Sequence, residues 1–154
     1  MIEPEPLDSG DVEPLRVTRT IEVPELTDED AKAAVEVSLA HGDRTGLRVD
    51  VVFVDDPTLR EMHERFLDDP SETDVMAFDY TESDDDDDPD PQAEVYVSAD
   101  RARAVAEERG ESARGELLLY LVHGSLHLCG LDDHDERARA EMRAAEKTVL
   151  ADLL

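Results

Sequence analysis

The stretch Glu116-Leu-Leu-Leu-Tyr-Leu-Val-His123-Gly-Ser-Leu-His127-Leu-Cys-Gly130-Leu-Asp-Asp133-His134 decides how the rest of the chain is read. Leu117, Leu118, Leu119, Leu121, Val122, Leu126 and Leu128 surround the axis of any helix drawn through it. A helix apolar on nearly all sides is one that a core encloses. Ser112 offers the N-cap and Gly130 the C-terminal stop, so the pattern predicts a buried helix over 113–129. Two imidazoles inside it need partners, because an unsatisfied buried polar group costs about 1–3 kcal/mol. One histidine alone reads as a satisfied core residue. Two of them, four apart, project from one face. A third ligand just past the helix end would complete the three-residue set of a catalytic zinc, with one position left for water. The spacing suggests a metal-activated hydrolase.

Two residues within the motif narrow the chemistry. Zincin proteases carry Glu after the first His as general base, and here that position is Gly124, which weakens a protease reading. Glycine costs about 1 kcal/mol in a helix interior, so close approach of another backbone or of substrate is expected there. Cys129 falls about 200° around the helix from His127 by the 3.6-residue period, and reads as a small core residue rather than a ligand.

Outward from the motif, the chain alternates strands and helices. A strand is predicted over Arg16–Val23, closed by Pro24. Thr27 caps a helix that carries Ala31, Ala34, Val35, Val37 and Leu39 and stops at Gly42. Leu47, Val49, Val51 and Phe53 alternate with Arg48 and Asp50, as in a half-buried strand. Pro57 opens a helix with Leu59, Met62 and Phe66 at helical spacing. Strands are expected at Thr73–Tyr80 and Ala93–Ser98, helices at Ala99–Arg109 and Asp135–Leu154. The last of these turns Ala138, Met142, Ala145, Val149 and Leu150 inward.

The 154 residues suit one domain, with residues 1–15 as a disordered acidic tail, 16–154 as the folded unit and 81–92 as an acidic loop. The net charge is −27. The tail carries five acids and residues 81–91 seven, so the remainder still stands at −15. Taken alone, that charge argues against nonspecific binding to nucleic acid or anionic membrane. A single cysteine excludes an intrachain disulfide. The N-terminus lacks a signal-peptide pattern and no apolar run approaches the roughly 18 residues of a membrane span, so a cytoplasmic location is expected.

The motif His-Gly-x-Leu-His-Leu-x-Gly resembles that of the YbeY family of bacterial endoribonucleases, the 16S rRNA maturation factors. Further matches follow in the same order. Thr73-Asp74-Val75-Met76-Ala77-Phe78 is similar to the family's P-T-D-V-L-S-F segment, and Ala93-Glu94-Val95-Tyr96-Val97-Ser98 to its G-D/E-I-x-I-S strand. Glu116 to Val122 resembles the lead-in to the metal helix, and Glu141-Met142-Arg143 the motif on the last helix. The likeness covers residues 16–154. It implies an α+β fold, a small mixed β-sheet packed with helices, the metal-ligand helix buried in the core. It also implies one Zn²⁺ per chain, cleavage of single-stranded rRNA, 16S 3′-end maturation and ribosome quality control, with the ribosome or small-subunit proteins as partners.

The family's third ligand is usually a His ten residues after the first. That position is Asp133 here, and Gly130-Leu131-Asp132 before it and Met142 after it hold the register. The implied metal set is therefore His123, through Nε2 or Nδ1, with His127 and Asp133 in preference to His134. No general base is evident; Asp132 and His134 are near in sequence. Leu67 stands where many members carry an Arg thought to hold RNA phosphate, and Glu72 replaces a Pro; Arg60, Arg65 or Arg114 are possible substitutes. So acidic a body would meet RNA through a local basic groove of Arg44, Arg48, Arg101 and Arg103, or through a partner. Two other readings stand beside this one. A metallohydrolase of peptides or small molecules suits the acidic surface but lacks the zincin Glu. A noncatalytic ribosome-assembly factor with a structural metal suits the loss of the Arg at Leu67.

Overall fold

The computed structural model describes residues 14–67, 74–81 and 89–153. In chain order it contains β1 (Leu15–Arg19), α1 (Asp28–His41), β2 (Val49–Val54), α2 (Asp56–Leu67), β3 (Val75–Asp79), β4 (Ala93–Ser98), α3 (Ala99–Arg109), α4 (Ala113–Leu128) and α5 (Glu136–Leu153). The strands form one sheet in the order β1-β2-β4-β3. β1, β2 and β4 run parallel, and β3 pairs antiparallel to β4. A mixed sheet packed with helices is the α+β architecture that the family resemblance implies.

Side-chain alternation divides the sheet into two faces. Val49, Val51 and Phe53 of β2 and Ala93, Val95 and Val97 of β4 are buried in the main core with α1, α4 and α5. Val52, Val54 and Met76 point the other way, where Leu59 of α2 covers them and Met62, Phe78 and Tyr96 pack at the edge. β2 is therefore buried on both faces, not half-buried as its Leu47–Phe53 alternation predicts. Leu47 and Arg48 precede it, and Arg48 N–H donates to the Gln92 side chain. Phe66 stays 58% exposed, edge-on to Phe78.

Strand and helix ends follow their partners. β1 stops at Arg19, whose partner is Phe53; Thr20 N–H donates to the Phe53 carbonyl and the chain turns away, well before Pro24. Leu15, expected in the tail, already pairs with Val49 and is buried. Thr27, Ser98 and Ser112 each accept the backbone N–H three residues on, capping α1, α3 and α4. α5 begins one residue later than predicted because Asp135 is its cap, accepting from Ala138 N–H at 2.7 Å. Residues 1–13, 68–73 and 82–88, which hold nearly all of the tail, the loop after α2 and the acidic run, lie outside the described residues, as does Leu154.

α4 occupies the centre, touching α1, α3, α5, β3 and β4. Leu117, Leu118, Leu121, Val122 and Leu126 are at most 2% exposed, each worth roughly 1.5–3 kcal/mol of burial. Gly124 accounts for how closely the helix lies on the sheet. A Cβ there would come within 2.8 Å of Val95 Cγ1 and 2.9 Å of Val75 Cγ2. The close approach is thus to side chains of β4 and β3, not to a backbone or a substrate. Cys129 packs against Gly42 on the side facing α1, as expected of a core residue.

Candidate metal centre

Beside the stripe of α4 that Gly124 sets on the sheet, about 60–100° around the helix from it, the last turns carry His123 and His127. Their Nε2 atoms are 3.0 Å apart. The chain then reverses: Gly130 takes φ +99°, a conformation that favours glycine. Its N–H and that of Leu131 bond the carbonyls of His127 and Leu126, a Schellman ending. The segment leading to α5 returns Asp133 to the histidines. Its Oδ2 lies 3.6 Å from His123 Nε2 and 4.0 Å from His127 Nε2.

The three donor atoms fit an ion. Tetrahedral bonds of about 2.05 Å place ligand atoms about 3.3 Å apart, and the observed separations of 3.0, 3.6 and 4.0 Å bracket that value. Two neutral nitrogens and one carboxylate oxygen suit a borderline divalent metal. The structure brings Asp133, and not His134, to the histidines. His134 is exposed, and its N–H bonds the Asp132 carboxylate instead.

Glu146 of α5 accepts a 2.5 Å hydrogen bond from Nδ1 of His123. That bond fixes the tautomer, so Nε2 and not Nδ1 faces His127 and Asp133. Burial disfavours the imidazolium of His123, but Glu146, Asp133 and Asp74 together outweigh it and raise its pKa. Burial and the neighbouring His123 lower that of His127. The two rings therefore differ: one is held by a carboxylate, the other is kept neutral as a ligand requires.

A cleft of about 250 Å³ opens on the His123 side, lined by Asp74, Tyr120, His123, Asp133, Arg139, Arg143 and Glu146, with Leu119 and Met142 as its apolar part. Burial raises the pKa of Asp74, against the pull of His123. Glu146 and Arg139 escape the sequence reading, and Arg143 enters it only as part of the Glu141-Met142-Arg143 motif, with no place at the site. Glu146 is four residues from the inward Met142 on a helix rich in acids, and that spacing was the available signal. Arg139 and Arg143 share the same stripe at i, i+4.

Other sequence candidates sit elsewhere. Asp132 and His134 do not line the cleft, nor do Arg60, Arg65 and Arg114. Arg60 lies 3.8 Å from Asp56, and Arg114 is 3.3 Å from Asp30. Of the four arginines expected to form a basic groove, Arg44, Arg48 and Arg103 lie against acids of the fold, and Arg101 does not line the cleft. Arg44 binds Asp79 and the Leu128 carbonyl at the end of α4, Arg48 lies beside Asp90, and Arg103 binds Glu25. Glu141 points away from the cleft and lies 3.8 Å from Arg137.

The family model described as Endoribonuclease YbeY matches residues 16–154. A protein named Endoribonuclease YbeY from Phocaeicola vulgatus is 30% identical over 135 residues, 87% of this chain and 94% of the relative. One of the same name from Elusimicrobium minutum is 32% identical over 111 residues, 72% of this chain and 78% of the relative. The solution structure of the Thermotoga maritima protein TM1509 superposes with a TM-score of 0.63 at 21% identity, covering 90% of this chain and 88% of that one, a likeness of fold.

Proposed function

The chain belongs to the YbeY family of endoribonucleases, and on that footing we propose that it is a zinc-dependent enzyme of the cytoplasm. In this reading it cuts single-stranded RNA in 16S rRNA 3′-end maturation and ribosome quality control. Ribosomal RNA is its substrate, and the ribosome or small-subunit proteins are its partners. The observation that carries the reading is the convergence of His123, His127 and Asp133, donor atoms within 4.8 Å of one another beside an open cleft.

His123 Nε2, His127 Nε2 and Asp133 Oδ2 would hold one ion. A zinc ion there supplies Lewis acidity, polarising a phosphodiester oxygen or lowering the pKa of water at neutral pH. Glu146 keeps His123 aimed by retaining its Nδ1 proton. Tyr120, Leu119 and Met142 line the cleft beside these groups. Asp74 lines the cleft and is the carboxyl we assign to proton transfer, a role the helix motif leaves vacant with glycine at position 124. Among the described residues no helix is long and apolar enough to cross a membrane.

The test joins metal content with cleavage of a single-stranded rRNA fragment by the zinc-loaded chain. Wild type should hold one zinc and cleave. His127→Ala and Asp133→Ala should lose both, His134→Ala should keep both, and Asp74→Asn should keep zinc but lose turnover. Zinc without cleavage, on free rRNA and on ribosomes alike, would favour the assembly-factor reading that Leu67 supports.

A further inference from the structure

With 42 acidic and 15 basic residues, an arginine in this chain seldom lacks a carboxylate. From Arg16 beside Asp90 to Arg137 beside Glu141, most arginines of the described residues lie within 4.0 Å of one. Arg139 and Arg143 depart from that pattern. Neither forms an ion pair among the described residues, and Arg139 donates to the backbone carbonyl of Asp133 at 3.3 Å. Both are exposed, four apart on α5, and both line the cleft that holds His123 and Asp133.

Their placement answers a physical difficulty. Asp74, Asp133 and Glu146 give the cleft three carboxyls, which repel a polyanion. Guanidinium groups are suited to phosphate because their planar forks match its oxygens. Arg139 and Arg143, four residues or about 6 Å apart along α5, address neighbouring phosphates of a strand. We propose that Arg139 and Arg143 hold the backbone phosphates of single-stranded RNA at the mouth of the metal cleft. The proposal deepens the endoribonuclease reading and rests on it.

The experiment is a fluorescence anisotropy titration of the full chain with a labelled single-stranded RNA oligonucleotide across a range of NaCl concentrations. It uses wild type, the Arg139→Ala/Arg143→Ala double variant, and Arg137→Ala as a control on the same helix outside the cleft. Each phosphate contact on a single strand contributes about 0.7 to the slope of log K against log salt. The double variant should bind RNA more weakly with a slope lower by about 1.4, while Arg137→Ala matches wild type. In cleavage assays its KM should rise at unchanged zinc content. Equal affinity and slope in wild type and double variant would overturn the proposal, even if the chain cleaves RNA. Displacement of RNA by inorganic phosphate at matched ionic strength would also overturn it, as the mark of a single-ion site. Arg-dependent binding without cleavage under any zinc condition would uphold the contact and overturn the nuclease reading. The two failures are thus separable.

Discussion

α4 and α5 face each other across the cleft and contribute to it in opposite ways. α4 is buried nearly all round, and the two half-buried imidazoles stand out on a mostly apolar surface. α5 buries Met142, Ala145 and Val149 and is charged elsewhere. Its contributions to the cleft, Arg139, Arg143 and Glu146, lie among other surface charges. In a buried helix a polar residue requires a reason. On a surface helix it requires none, so function there is written in the same letters as solubility.

The contrast can be broken at several points. His127→Ala should have the largest effect: loss of stoichiometric metal, read by elemental analysis, with an unchanged melting curve in the metal-free chain. Retained metal would mean that α4 is not the anchor. Glu146→Ala should weaken zinc about 10–100-fold, the usual effect of removing the partner of a ligating histidine, with Glu146→Gln recovering most of it. A competition titration against a chromophoric chelator measures both. No change in either variant would reduce α5 to a wall of the cleft.

Gly124→Ala sharpens the comparison from the packing side. Alanine gains about 1 kcal/mol of helix propensity, but its methyl meets two stiff valines, an overpacking that costs about 1–3 kcal/mol. A net loss of about 1 kcal/mol is expected by urea unfolding. A stabilised variant would show that α4 has slack against the sheet. Glu141→Gln should have the smallest effect, within about 0.5 kcal/mol of wild type and with zinc affinity unchanged. A loss of metal in that variant would reverse the assignment of the two acids on α5.

How much of this was legible follows from the same physics. The course of α4, its capping serine and the packing of Cys129 against α1 were open to the sequence, and so was a close contact at Gly124, though not that valine side chains of β3 and β4 make it. Where periodicity ends, so does certainty of direction. In the segment after Gly130, spacing alone leaves Asp133 and His134 equal, and family register favours the first. The backbone reversal after α4 is what aims one and exposes the other. β1 stops at Arg19, short of Ile21 and Val23, which prolong its apolar pattern in the sequence. Glu146 was hidden by composition: one acid among 42 carries little information until Met142 fixes the face.

The left-handed turn at Gly130 has a consequence for time as well as shape. Two of the three donors are bolted to a helix that cannot shift without disturbing the core, while the third rides on a short strap outside regular structure. An ion held by these three donors would exchange by a swing of the strap, with the rest of the molecule standing still. Chelator extraction should therefore proceed at a rate insensitive to global unfolding, so that variants of very different stability release zinc at the same pace. The centre behaves as a latch with a fixed plate and a moving tongue.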